Sequence, residues 1–78
     1  MKKTEYDKYT KDTIRAIASN IRAIREKKGL TQEDVEKFDF NSKWYQEIER
    51  GVKTPTLPTL CKLAKAFRVD LRDFFKGI

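Results

Sequence analysis

Between Thr31 and Thr54 the chain sets out a surface able to hydrogen-bond a nucleic acid. Asn41 can cap a helix in which Tyr45 and Ile48, three residues apart, mark a buried side. The opposite side then gathers Lys43, Gln46, Glu47 and Arg50, a set of donors and acceptors that is polar and carries a net positive charge. Gly51 supplies a stop, and Val52-Lys53-Thr54-Pro55 reads as a turn. Before this helix lies a second short one, with Thr31 as N-cap and Glu33 and Asp34 in its first turn, where the positive helix pole favours acids. Two short helices around a tight turn, with a basic exposed face on the second, suit a DNA groove.

Other chemistries find little support. With no His there is no imidazole base and no usual zinc ligand set. No glycine-rich loop precedes a helix in phosphate-binding spacing, and the carboxylates are scattered among Lys and Arg. A non-enzymatic protein with neither metal nor cofactor is expected. The lone Cys61 has no internal disulfide partner and is expected as a small, buried or half-buried apolar residue rather than a redox switch.

The chain of 78 residues has room for one modest core. Eighteen Lys and Arg against 12 acids give a net charge of +6, which favours a polyanion such as nucleic acid or an anionic membrane. No apolar run approaches the roughly 20 residues that span a bilayer, and Met1-Lys2-Lys3-Thr4-Glu5 lacks the apolar stretch of a signal peptide. A soluble, cytoplasmic protein without a membrane partner is expected.

The elements that must position the polar face follow from periodicity. Residues 1–11 read as a polar N-terminal extension able to fray or to merge into the next helix, and 12–78 as the domain. From Asp12, Ile14, Ile17, Ala18, Ile21 and Ile24 recur at helical steps opposite Arg15, Asn20, Arg22 and Lys27, and Gly29 closes that helix. In the second helix Val35 and Phe38 are expected to face the core, before Asp39-Phe40-Asn41 turns the chain. Thr56 begins a fourth helix with Pro58 in its first turn and Leu60, Leu63, Ala64 and Phe67 as its apolar stripe. Asp70 is expected to cap a last short helix that returns Leu71, Phe74 and Phe75 to the core. The expected fold is all-α, a compact five-helix bundle without strands.

The segment from Ile17 to Phe75 resembles the lambda-repressor-like helix-turn-helix family, specifically the short Xre and Cro/C1 type regulators. The blocks that carry the resemblance are Ile21-Arg22-Ala23-Ile24-Arg25, Gly29-Leu30-Thr31-Gln32-Glu33, Ile48-Glu49-Arg50-Gly51, Pro55-Thr56-Leu57 and Leu63-Ala64-Lys65-Ala66-Phe67. Such a match implies a DNA-binding domain in which the second and third helices form the reading unit and the third lies in the major groove of double-stranded DNA. On that helix Ser42, Lys43, Trp44 and Glu47 are the candidate base contacts. Lys43 could donate to guanine, Glu47 could accept from a cytosine amino group, and Trp44 could press on a thymine methyl or a sugar. Ser42 is small enough to suit several bases. Trp44 could instead pack beside Ile48, and Glu47 could be solvated or pair with Lys43.

The family's phosphate-contacting positions correspond to Gln32, at the start of the second helix, and to Lys53 and Thr54 past the third, with Arg50 at the junction. Arg25 and Glu49 match positions that the family pairs in a partly buried salt bridge between helices one and three. The chain departs from the pattern between Gln32 and Glu49, where it is one residue shorter than the commonest spacing. Glu36 to Phe40 replace the usual small residues there, and Phe38 and Phe40 are expected to fill the space. Arg68 stands where a glycine often ends helix four, which implies a strained or differently built cap.

The implied activity is transcriptional regulation, with repression of a palindromic operator by a homodimer as the leading form. The isoleucine seam of helix one is read as core or as a dimer contact, with Phe74, Phe75 and Ile78 the competing surface. An RNA polymerase contact through Glu33, Asp34 or Glu36 would instead give activation. The rival reading is an antitoxin or controller-type module in which a protein partner, such as a toxin, comes first.

Overall fold

The computed structural model describes residues 7–78. Four α-helices follow one another: α1 (Lys8–Lys27), α2 (Gln32–Val35), α3 (Ser42–Glu49) and α4 (Leu57–Phe67). A 3-10 turn at Glu36–Phe38 continues α2, and a second at Leu71–Phe75 stands where a fifth helix is expected. No strand occurs among the described residues. Residues 1–6 of the expected N-terminal extension lie outside the described part, whereas Lys8–Lys11 are already the first turn of α1. That helix starts a turn before Asp12 because Asp7 caps it, its Oδ1 accepting the Thr10 N–H at 2.8 Å.

Each helix begins on a side-chain cap. Thr31 and Asp34 close a reciprocal box on α2, with Thr31 Oγ1 accepting the Asp34 N–H at 3.1 Å and Asp34 Oδ2 accepting the Thr31 N–H at 2.8 Å. Asn41 Oδ1 takes the Trp44 N–H at 3.0 Å to start α3, and Thr56 Oγ1 takes the Thr59 N–H at 3.3 Å to start α4. Helix ends are equally regular. Gly29 and Gly51, both at φ 75°, close α1 and α3 in paired-amide motifs: Leu30 N–H reaches Arg25 C=O at 3.1 Å, and Val52 N–H reaches Glu47 C=O at 2.9 Å. After α4 the same motif is built on Arg68, at φ 58° and ψ 49°, with Val69 N–H on Ala64 C=O at 3.0 Å.

The core joins Ile21 of α1, Val35 of α2, Tyr45 and Ile48 of α3, Leu60, Leu63, Ala64 and Phe67 of α4, Phe40 and Phe74. Tyr45, Phe67 and Phe74 meet edge to face at 6.5 Å between centroids, an arrangement that the ring quadrupoles favour. Asn20 ties the C-terminal turn to α1. Its Nδ2 donates to the carbonyls of Phe74 and Lys76, each at 2.9 Å, so it is half-buried rather than on the solvent face expected from periodicity.

Three further expectations of burial are corrected. Phe38 is 36% exposed, because left-handed Asp39 (φ 69°) reverses the chain just after it and Phe40 enters the core instead. Phe75 is 37% exposed, because a 3-10 turn advances about 120° per residue and only Phe74 of the adjacent pair can face α1. Cys61 is exposed, about 100° around α4 from Leu60 and outside the buried stripe.

Candidate nucleic-acid interface

The polar face of α3 is set by what lies beneath it. Tyr45 and Ile48 are buried, and Trp44 is half-buried with its indole stacked on Phe40 at 6.0 Å and an interplanar angle of 7°. Lys43 and Arg50 are exposed, and Ser42, Gln46 and Glu47 are half-exposed. Ser42 Oγ accepts from Gln46 Nε2 at 3.3 Å. Glu47 contributes its backbone to the helix end, its carbonyl accepting from both Val52 and Lys53 N–H. Lys53 and Thr54 lie exposed on the loop that follows.

Behind this face lies a charged brace. Arg25 Nε donates to Glu49 Oε2 at 2.6 Å and Nη2 to Glu49 Oε1 at 3.2 Å, while Nη1 donates to the Leu30 carbonyl at 2.6 Å. The two side chains are 9% and 2% exposed, so little solvent screens them. Gln32 joins the pair, its Nε2 donating to Glu49 Oε1 at 3.1 Å. One carboxylate therefore gathers donors from α1 and α2 onto α3. Burial pushes the Glu49 carboxyl up, but the Arg25 hydrogen bond, with smaller help from Gln32, holds it below the ordinary carboxylate value. The Tyr45 hydroxyl sits beside this group, buried and without a hydrogen-bond partner among the described residues, and burial followed by the Glu49 charge pushes its phenol up.

The turn between α2 and α3 has a support that no sequence motif signals. Lys62 of α4 reaches across to donate to the Asp39 carbonyl at 3.1 Å, with its ammonium 4.6 Å from the centre of the Phe40 ring. Helical periodicity gives Lys62 as a solvated residue, and only the fold brings it to the turn.

Two capped helices joined by a short turn, the second presenting a polar face over a braced core, define a helix-turn-helix domain. Comparison with known proteins agrees. The family model described as Helix-turn-helix matches residues 21–74. The chain is 41% identical over 60 residues to an uncharacterized HTH-type transcriptional regulator, y4dJ, of Sinorhizobium fredii (strain NBRC 101917 / NGR234), covering 76% of this chain and 78% of that one. No solved structure matches the chain significantly. The chain belongs to the lambda-repressor-like helix-turn-helix family of Xre and Cro/C1 type, a family of DNA-binding transcriptional regulators. Among the described residues no helix is long and apolar enough to cross a membrane.

Proposed function

We propose that the protein is a sequence-specific regulator that binds palindromic operator DNA as a homodimer and represses by occluding the promoter. The observation that carries this reading is the fixed presentation of α3: its inner side is buried at Tyr45 and Ile48, its end is braced through Glu49, and Lys43 is exposed on its first turn. A rigid helix with free polar groups can present them to base edges at low entropic cost. Lys43 and Glu47 are the strongest candidates for base contact, with Ser42 beside them. Trp44 has one face on Phe40, so its contact to a thymine methyl or sugar uses what that ring leaves uncovered. Arg50, Lys53 and Thr54 contact phosphates from the end of α3, and Gln32 does so with the second N–H of the amide that holds Glu49.

One recognition helix meets only a few base pairs. Pairing two on a palindrome, with half-sites about 34–36 Å apart, gives the specificity that a regulator requires. Selection of bound duplexes from a random pool tests the reading directly. The expected outcome is a two-fold symmetric motif bound on the order of a thousandfold more tightly than random DNA. Lys43→Ala should relax preference at one position in each half-site. Binding that is salt-sensitive but blind to sequence would sink the proposal, and equal weakening on all sequences would make Lys43 a phosphate contact.

A further inference from the structure

We propose that the first two turns of α1 form a second phosphate clamp, in which Lys11 and Arg15 grip the DNA backbone beside the contacts made by the loop after α3. The inference rests on the operator-binding reading above and extends the interface to an element outside the helix-turn-helix unit. Its basis is an open cleft of about 250 Å³ between α1 and that loop, lined by Lys11, Ile14, Arg15, Gly51, Val52 and Thr54. Among the described residues no acidic side chain lines it. The two cations stand at positions i and i+4, one turn apart on the same face of α1.

α1 passes within van der Waals contact distance of Gly51. The glycine takes φ 75° to close α3, and a Cβ placed there would lie 3.5 Å from Cγ and 3.9 Å from Cα of Arg15. The stem of Arg15 therefore rests on the glycine, and Arg15 lines the same cleft as Thr54 of the loop. The early start of α1 at Lys8 is what provides this ledge, since a helix beginning at Asp12 would lack Lys11. An open cleft lined by Thr54 and two cations suits a phosphodiester oxygen, and Arg offers it a bidentate fork. Continuity with Lys53 and Thr54 identifies the ligand as the backbone of the same duplex, in the segment flanking the half-site.

The test uses Lys11→Gln and Arg15→Gln, which remove charge and keep the aliphatic stems, with thermal unfolding to verify that each variant remains folded. Affinity for the selected operator is measured against salt. Each substitution should lower the slope of log K against log salt by about one and weaken operator and random DNA by the same factor. Trimming the duplex by about half a turn at each outer end should erase the difference between variant and wild type. Arg72→Gln and Lys76→Gln, each removing one charge near the C-terminus as each α1 substitution does from α1, should leave the slope unchanged. The clamp is overturned if both α1 variants keep the wild-type slope while Lys53→Gln lowers it, or if the charge-matched controls lower it equally. Either result leaves operator binding intact, whereas a wild-type protein without preference for the selected site defeats the regulator reading itself.

Discussion

At the scale of single residues the fold depends most on a charge taken out of water. Glu49 is 2% exposed at its side chain and keeps its charge only because Arg25 and Gln32 donate to it. Arg25→Ala would strand that carboxylate, at a cost of about 3–5 kcal/mol, read as a lower urea midpoint with an unchanged m-value. The same pair sets a pH response. Because the folded carboxyl lies below its ordinary value of 4.5, its contribution is fully present above that pH and is lost as pH falls through the lower folded value. Wild-type stability should therefore drop on acidification below about pH 4.5, and Glu49→Gln should flatten that part of the curve. Parallel curves for the two proteins would show that other carboxylates govern acid unfolding. The family resemblance pointed to these two positions from sequence, but the third member, Gln32, was expected at a phosphate, and its bond to Glu49 follows only from the meeting of α2 with α3.

At the scale of elements, local chemistry decided what was legible. Thr31, Asn41 and Thr56 are read as helix starts from sequence because a cap is satisfied within three residues of itself, and Gly29 and Gly51 as ends for the same reason. Asn41→Ala should cost about 1 kcal/mol and loosen the first turn of α3, so operator affinity should fall more than stability alone requires, measured at a temperature where the variant stays folded. Arg68 is the misfit among the ends. It takes the conformation that glycine takes in the two sister motifs, against a left-handed cost of about 1–2 kcal/mol. Glycine there is more flexible when unfolded, which offsets part of the gain, so Arg68→Gly should stabilise by about 0.5–1 kcal/mol, seen as a raised thermal midpoint with operator affinity unchanged. The turn from Glu36 to Phe40 was not legible, since Phe38 and Phe40 are both large and apolar and periodicity cannot choose between them. The choice falls to Asp39, whose left-handed backbone is fixed by its neighbours and by Lys62 from α4.

Across the whole molecule α1 ties the recognition helix to the C-terminal turn, since it carries half of the brace to α3 and one wall of the cleft beside the loop, and it holds that turn. Its apolar face was evident from the isoleucine spacing. Its other bonds were not, because an Asn among Arg and Lys at helical spacing carries no sign that a carbonyl 54 residues away will meet it. Asn20 satisfies two backbone carbonyls of the segment that buries Phe74, the last aromatic in the chain of rings running from Phe40 through Tyr45 and Phe67. A short 3-10 turn has little stability of its own, so it stays in place through that ring and those two bonds. Asn20→Ala removes both donors, with an expected cost of about 1–3 kcal/mol at the partly buried Phe74 carbonyl and less at the exposed Lys76 carbonyl. The loss should appear first as local opening. Amides of residues 73–75 should exchange faster under native conditions while those of α3 keep their protection, because the Arg25–Glu49 brace and the Phe40–Trp44 stack hold α3 independently of the C-terminal turn. DNA affinity should then stay near that of the wild type. Equal acceleration in both segments would mean that the domain opens only as one cooperative unit, with Phe74 as much a support of the recognition helix as Glu49.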